Sequence, residues 1–247
     1  MSKTWFTADT HFGHGNIIKY CNRPFLSPYD QKALEANGGV WHNGSWKGEF
    51  ASDHYISREA IYDMNDTLIR NINECVKPED TLWHLGDVLF AKKHEYVDKA
   101  YGHLSRINCK NINLVWGNHD DYYAKDRNGN TIARYFKSTS NLTEIVVHGQ
   151  KIVLCHYAMA VFNKSHRGTW QLYGHSHSGA ESWMDKHMPG RRSMDVGVDN
   201  AYKLFGKYRP ISFEEIMEIM KFRQGHSMDH HIDPNTPTEE EIMEKNS

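Results

Sequence analysis

Asn113-Leu114-Val115-Trp116-Gly117-Asn118-His119-Asp120 sets a short apolar run directly against a glycine and three side chains that ligate metals or carry protons. A run of this kind reads as a buried strand, and the glycine marks a sharp exit that leaves Asn118, His119 and Asp120 at its carboxyl end. The same arrangement recurs on both sides. Thr4 to Ala8 reads as a strand ending at Asp9-Thr10-His11, Thr81 to Leu85 ends at Gly86-Asp87, and Gln171 to Tyr173 leads into Gly174-His175-Ser176-His177. Glu144 to His148 and Lys151 to Cys155 flank Gly149-Gln150, a spacing that predicts a hairpin with a type II′ turn, and its second strand ends at His156. Ser193 to Val198 alternates small and apolar residues before Asp199.

Helical spacing fills the gaps between these strands. Ile61, Met64, Leu68, Ile72 and Val76 share one face of a helix predicted over Arg58 to Val76. Ser212 and Glu215 form a capping box before Ile216, Ile219 and Met220, with Gly225 as the expected stop. Strands alternating with helices, together with a hairpin, predict an α/β sandwich with mixed sheets. Residues 28–57 differ: Gly38-Gly39, Gly44 and Gly48 are interleaved with Trp41, Trp46, Phe50 and Tyr55 without a clean period. This stretch reads as an insertion whose rings form either a base-stacking wall or a satellite core. The expected organisation is one domain over residues 1–225 followed by a flexible acidic tail over 226–247, where Pro234, Pro237 and six acidic side chains leave too little apolar surface to pack.

Composition narrows the function. The chain has 247 residues, 39% hydrophobic and 24% charged, which excludes fibrous and wholly disordered classes. No stretch approaches ~18 uninterrupted apolar residues and the start lacks a signal-peptide pattern, so the expectation is a cytoplasmic protein with no membrane partner. Cys21, Cys75, Cys109 and Cys155 contain no C-x-x-C pair, which argues against a disulfide framework or a thiolate zinc site. The net charge is -2, and residues 1–225 alone carry 28 basic and 25 acidic groups, so no basic stripe announces long nucleic acid. The distinctive count is 17 histidines. His84 and His148 fall inside apolar strands and read as core histidines; His42, His54, His94, His103 and His187 have no partner visible in sequence.

Asp9, His11, Asp87, Asn118, His156, His175 and His177 are the candidate metal ligands. Carboxylate and imidazole without cysteine suit Mn²⁺, Fe²⁺, Co²⁺, Ni²⁺ or Zn²⁺ better than Mg²⁺ or Ca²⁺. Seven ligands exceed one tetrahedral ion and suit two ions sharing a carboxylate. His14, Asn16 and Arg23 lie just past the first motif and are candidate contacts to a substrate phosphate, Arg23 through bidentate hydrogen bonds. His166 and Arg167, before the last motif, are candidates of the same kind.

Five ordered blocks, D-x-H, G-D, G-N-H-D, H and G-H-x-H, resemble the calcineurin-like metallophosphoesterase superfamily. Asp9 through His14, Asn16-Ile17-Ile18, Asn22-Arg23-Pro24-Phe25 and Val196-Gly197-Val198-Asp199 look like a small bacterial and phage subgroup of it. The resemblance implies an αββα sandwich with mixed sheets and two divalent ions, with Mn²⁺ as the first expectation. It places Asp9, His11, Asp87 and His177 on one ion and Asp87, Asn118, His156 and His175 on the other, with Asp87 as the bridge. It also implies His119 as the catalytic proton donor to the leaving group, with Asp120 orienting it or its neighbours. The implied activity is hydrolysis of a phosphodiester or nucleotide ester by water activated between the ions, which makes a small phosphate ester or nucleotide the expected partner. A DNA or RNA nuclease, a protein phosphatase and a protein-interaction scaffold on the same fold remain open at this point.

Overall fold

Alternation along β1 (Thr4–Thr7) sets the layers, because Trp5 points to one core and Phe6 to another. The computed structural model describes residues 2–43 and 45–223; the predicted tail over 226–247 and the expected stop at Gly225 lie outside them. After β1 come α1 (Gly15–Tyr20), α2 (Pro28–Ala36), β2 (Val40–His42), β3 (Ser45–Lys47), α3 (Arg58–Cys75), β4 (Thr81–His84), α4 (Tyr96–Leu104) and β5 (Asn111–Val115). The chain continues through β6 (Ser138–Ser140), β7 (Leu142–Val147), β8 (Gln150–Cys155), β9 (Trp170–Tyr173), α5 (Glu181–His187), β10 (Ser193–Asp195), α6 (Val198–Phe205), β11 (Ile211–Ser212) and α7 (Phe213–Met220).

One sheet runs β11-β1-β4-β5-β6, parallel except for the antiparallel edge strand β11. The other runs β10-β9-β8-β7, with only the β7–β8 pair antiparallel. Between them lies a core of Phe6, Leu85, Val115, Ile152, Leu154, Leu172 and Met194, closed by Phe213, Ile216 and Met220 of α7. On the far side of the first sheet, Trp5, Leu82 and Leu114 pack under α1, α3 and α4. Met64, Leu68 and Ile72 of α3 are each at most 1% exposed, and burying a side chain of this size contributes about 1.5–3 kcal/mol. Tyr173 on the outer face of the second sheet bonds Glu181 and Met184 of α5. The layer order is the αββα sandwich with mixed sheets expected from the sequence.

The predicted hairpin exists with a different turn. Val147 pairs with Gln150, so the loop is His148-Gly149, and both residues have positive φ (46° and 84°), which is a type I′ turn. His148 is thereby exposed at a turn and is not the core histidine expected. The capping box of α7 is present, with Ser212 and Glu215 each accepting the other's backbone N–H. The 28–57 stretch is more ordered than its composition implies: α2 opens on a second capping box, Ser27 and Asp30, and β2 and β3 form their own hairpin. The Asp30 carboxylate also accepts the Ser57 hydroxyl at 2.7 Å and lies 2.9 Å from His54 Nε2, so both ends of the excursion meet at one side chain.

Candidate dinuclear metal centre

β1, β4, β5, β8 and β9 all deliver polar residues at their carboxyl ends, and the two sheets bring those ends together. The bridge between Ala8 and Gly197 ties the end of β1 to the segment after β10, and the His175 N–H lies 3.0 Å from both Asp9 carboxylate oxygens. Glycine is needed at two of these exits. A Cβ on Gly117 would collide with the Asp87 carboxylate, and one on Gly174 would stand 2.6 Å from Ala8 Cβ. Asp9, His11, Asp87, His175 and His177 themselves hold left-handed backbone, with φ between 47° and 67°.

Two ligand groups result. Asp9, His11 and His177 offer atoms within 4.8 Å of one another, and so do Asp87, His156 and His175. A single atom joins the groups, since Asp87 Oδ2 lies 3.5 Å from His11 Nε2 and 3.4 Å from His156 Nε2. Asn118 Oδ1 is 3.0 Å from His156 Nε2. Tautomers are set from behind: Nδ1 of His156 donates to the Leu85 carbonyl at 2.7 Å and Nδ1 of His177 donates to Asp199 at 2.6 Å, which leaves each Nε2 facing the centre.

The electrostatics fit divalent cations. Burial lowers the His11 pKa to about 2, so the ring is neutral, and both its nitrogens are buried without a hydrogen-bond partner. Asp9 is raised well above the usual carboxylate range by burial and by the neighbouring charges of Asp195 and Asp87. Burial also raises Asp87, but the hydrogen bond and charge of His156 outweigh it and hold that carboxylate ionised. Orphaned imidazole nitrogens beside crowded carboxylates are what a cation pair satisfies.

His119 is exposed, its N–H donates to Asp87 Oδ1 at 2.9 Å, and its ring lies 5.4 Å from that of His11. It borders the ligand groups without joining them. Asp120 does not touch that ring: its buried carboxylate accepts the N–H groups of Asp87, Val88 and Gly117 and the Tyr96 hydroxyl. It positions the Asp87 and Gly117 turns, so of the two expected roles it orients the neighbours of His119 and makes no hydrogen bond to the His119 ring among the described residues. Burial and the charge of Asp87 raise its pKa despite the three N–H donors.

The substrate candidates divide. His14 lines the centre, its ring 5.3 Å from His11 and stacked 4.2 Å from Phe90, and burial lowers its pKa to about 4. Asn16 sits in the first turn of α1 and makes no side-chain hydrogen bond among the described residues. Arg23 is not available to substrate. It is 1% exposed, gives two 2.8 Å bonds to Asp199, and donates to the Asp9 and Thr10 carbonyls. Arg167 lies with Gly149 and Gln150 around a cavity at the β7–β8 turn, the end of the sheet away from His156, and its Nε is 3.1 Å from His166 Nε2. Both fall outside the site because the chain between His156 and β9 must run back to the amino end of that strand.

Asp199, which follows the strand predicted over Ser193 to Val198, connects Arg23 to His177. Asp195 carries no local signal in sequence; it accepts the Ser176 hydroxyl at 2.6 Å and the Ser178 N–H at 3.0 Å, holding the last motif's loop. His84, expected as a core histidine, is buried with Nε2 2.9 Å from the Thr10 hydroxyl.

The calcineurin-like phosphoesterase superfamily domain matches residues 52–188, more than half of the chain and including Asp87, Asn118, His156, His175 and His177. The chain belongs to the calcineurin-like phosphoesterase superfamily. It is 27% identical over 221 residues to an uncharacterized protein of Methanocaldococcus jannaschii, covering 90% of this chain and 93% of that one. The crystal structure of a protein of unknown function from Aquifex aeolicus superposes with a TM-score of 0.54 at 22% identity, over 89% of this chain and all of that one, a likeness of fold. No helix among the described residues is long and apolar enough to cross a membrane.

Proposed function

We propose that this member of the superfamily is a dinuclear metal-dependent phosphodiesterase or nucleotide phosphohydrolase, with Mn²⁺ as the first candidate ion. The observation that carries the reading is the position of Asp87 Oδ2, nearly equidistant from a ligand nitrogen of each group. Asp9, His11, Asp87 and His177 would hold one ion and Asp87, Asn118, His156 and His175 the other. Ions held there would supply an acidified water as nucleophile and positive charge to offset the negative charge developing on the phosphate oxygens. The chain's own work is then positional and protonic. Asp87 fixes the spacing while its second oxygen, bonded to the His119 N–H, holds that residue's backbone at the rim. The exposed His119 imidazole donates a proton to the departing ester oxygen, and neutral His14 beside it leaves the incoming anion a polar, uncharged wall.

The test couples stoichiometry to chemistry. Metal-reconstituted protein should hold two ions per chain and hydrolyse aryl phosphodiesters faster than monoesters, and Asp87→Asn should lose both ions and activity together. One ion per chain, or activity surviving Asp87→Asn, refutes the bridging role. His119→Ala should lower kcat by roughly 10²–10⁴ for a basic leaving group and progressively less for acidic phenols, with metal content unchanged. Equal losses across the series would remove His119 as the acid.

A further inference from the structure

We infer that the centre takes a phosphodiester joining two consecutive nucleosides, one base stacked on Phe90 and the other on Tyr157. The inference rests on the phosphodiesterase reading and deepens it. Phe90 and Tyr157 are 48% and 47% exposed, although each has one side packed against a site histidine. Phe90 stacks on His14 at 4.2 Å and meets the His119 ring edge-on at 5.9 Å. Tyr157 meets His175 at 4.8 Å and His156 at 5.0 Å. Phe90 therefore touches the rings around His11 and His119, and Tyr157 touches the rings of the other ligand group. Contacts run from Phe90 through His14, His11, Asp87 and His156 to Tyr157, with the shared carboxylate near the middle.

Aromatic rings half open to water on both sides of a reacting centre present flat faces on which a planar ligand can stack. Nucleobases suit them, because every base presents a π-face and stacking does not depend on sequence. A diester phosphorus carries two ester arms and can send one to each ring, whereas a monoester or a phosphorylated side chain covers only one. His119 lies at the Phe90 end, so the nucleoside on Phe90 is the one that departs with the proton. Immediately past Phe90, Lys92 and Lys93 are exposed and close no ion pair among the described residues, which offers the next phosphate a cation. The Trp41–Trp46 pair is a weaker platform: it lines a cleft of about 110 Å³ with Asn22, Pro24 and Leu26 and, among the described residues, makes no ring contact with a candidate ligand.

The experiment measures fluorescence anisotropy of metal-loaded protein with hydrolysis-resistant phosphorothioate tetrathymidylate and tetrauridylate, run in parallel, and with an abasic tetramer of equal charge. Phe90→Ala and Tyr157→Ala should each weaken binding of the better base-bearing tetramer by roughly 10- to 100-fold. Phe90→Leu and Tyr157→Leu, which keep apolar packing, should show the same loss, while Phe90→Trp and Tyr157→Phe should stay within about threefold of the parent. The abasic tetramer should bind at least about tenfold more weakly and be indifferent to all of these changes. Unchanged affinity in the folded Ala and Leu variants, or abasic binding as tight as base-bearing, overturns the inference. Hydrolysis of aryl diesters without base dependence defeats the inference alone; base-dependent binding without hydrolysis of any ester defeats the phosphodiesterase reading.

Discussion

Asp199 bonds through its two oxygens to a buried guanidinium and is bonded as well by the imidazole of His177, and the three residues are drawn from distant parts of the chain. Burial raises this carboxylate, but the charge of Arg23 outweighs it and holds Asp199 ionised. An ionised acceptor keeps the His177 Nδ1 proton in place and Nε2 free. Asp199→Ala should therefore weaken metal binding by roughly 10- to 100-fold and, by leaving Arg23 buried and unpaired, cost about 3–5 kcal/mol of stability. Adding Arg23→Met should recover much of the stability without restoring the metal affinity. A double variant that binds metal like the parent, in titrations with a competing chelator, would reduce the triad to packing. Arg23 reads in sequence as a phosphate fork because its planar guanidinium suits bidentate recognition and it lies just past the first motif. Its partner is 176 residues away, and no local pattern announces a pair of that separation.

Among elements, the most informative contact joins the exits of β4 and β5. Asp120 gathers three N–H groups from two strand ends that have no other way of satisfying them inside the sandwich. Asp120→Ala would strand those donors, each worth about 1–3 kcal/mol when buried and unpaired, so unfolding by urea should show a loss of at least about 3 kcal/mol. Asp120→Asn, which keeps one oxygen acceptor, should lose less; a loss below about 1 kcal/mol in Asp120→Ala would show that the carboxylate does not hold the two turns. Strand exits were legible because the signal is local: an apolar run, a glycine, then a ligand. The β7–β8 turn was displaced by one residue because His148 takes a positive φ that pattern reading reserves for glycine. The capping box at Ser27 was also readable, yet the glycine-rich hairpin behind it masked the periodicity of α2.

For the whole molecule, burying neutral imidazoles makes stability depend on acid. His84 is the cleanest case, with its pKa lowered to about 3 by burial. The Thr10 hydroxyl donates its proton to the Val88 carbonyl, so His84 Nε2 must be the donor to Thr10, and Nδ1 is left without a partner. The unfolded chain takes up this proton near pH 6.5 and the folded chain only near 3, so stability is full above about 6.5 and falls as pH drops through that window. His84→Gln retains an N–H for Thr10 and should flatten the slope by up to about 1.36 kcal/mol per pH unit between pH 6 and 4. An unchanged slope in metal-free protein would mean that His84 is charged in the fold. The sandwich and the convergence of strand ends could be read from sequence because both follow from periodicity and order. Which rings remain open around the centre could not, since exposure is decided by what the other layers cover.

The left-handed backbone at Asp9, His11, Asp87, His175 and His177 has a consequence for how such a chain drifts. Each non-glycine residue held there costs on the order of 1 kcal/mol that glycine would not. Replacing one of these ligands by glycine removes strain at the same stroke as it removes chemistry. Selection for folding alone, in a library scored by protease resistance in chelator, should enrich glycine at these positions ahead of alanine. The stable dead variant is thus one substitution away, and keeping the centre intact requires selection on catalysis at every one of these residues.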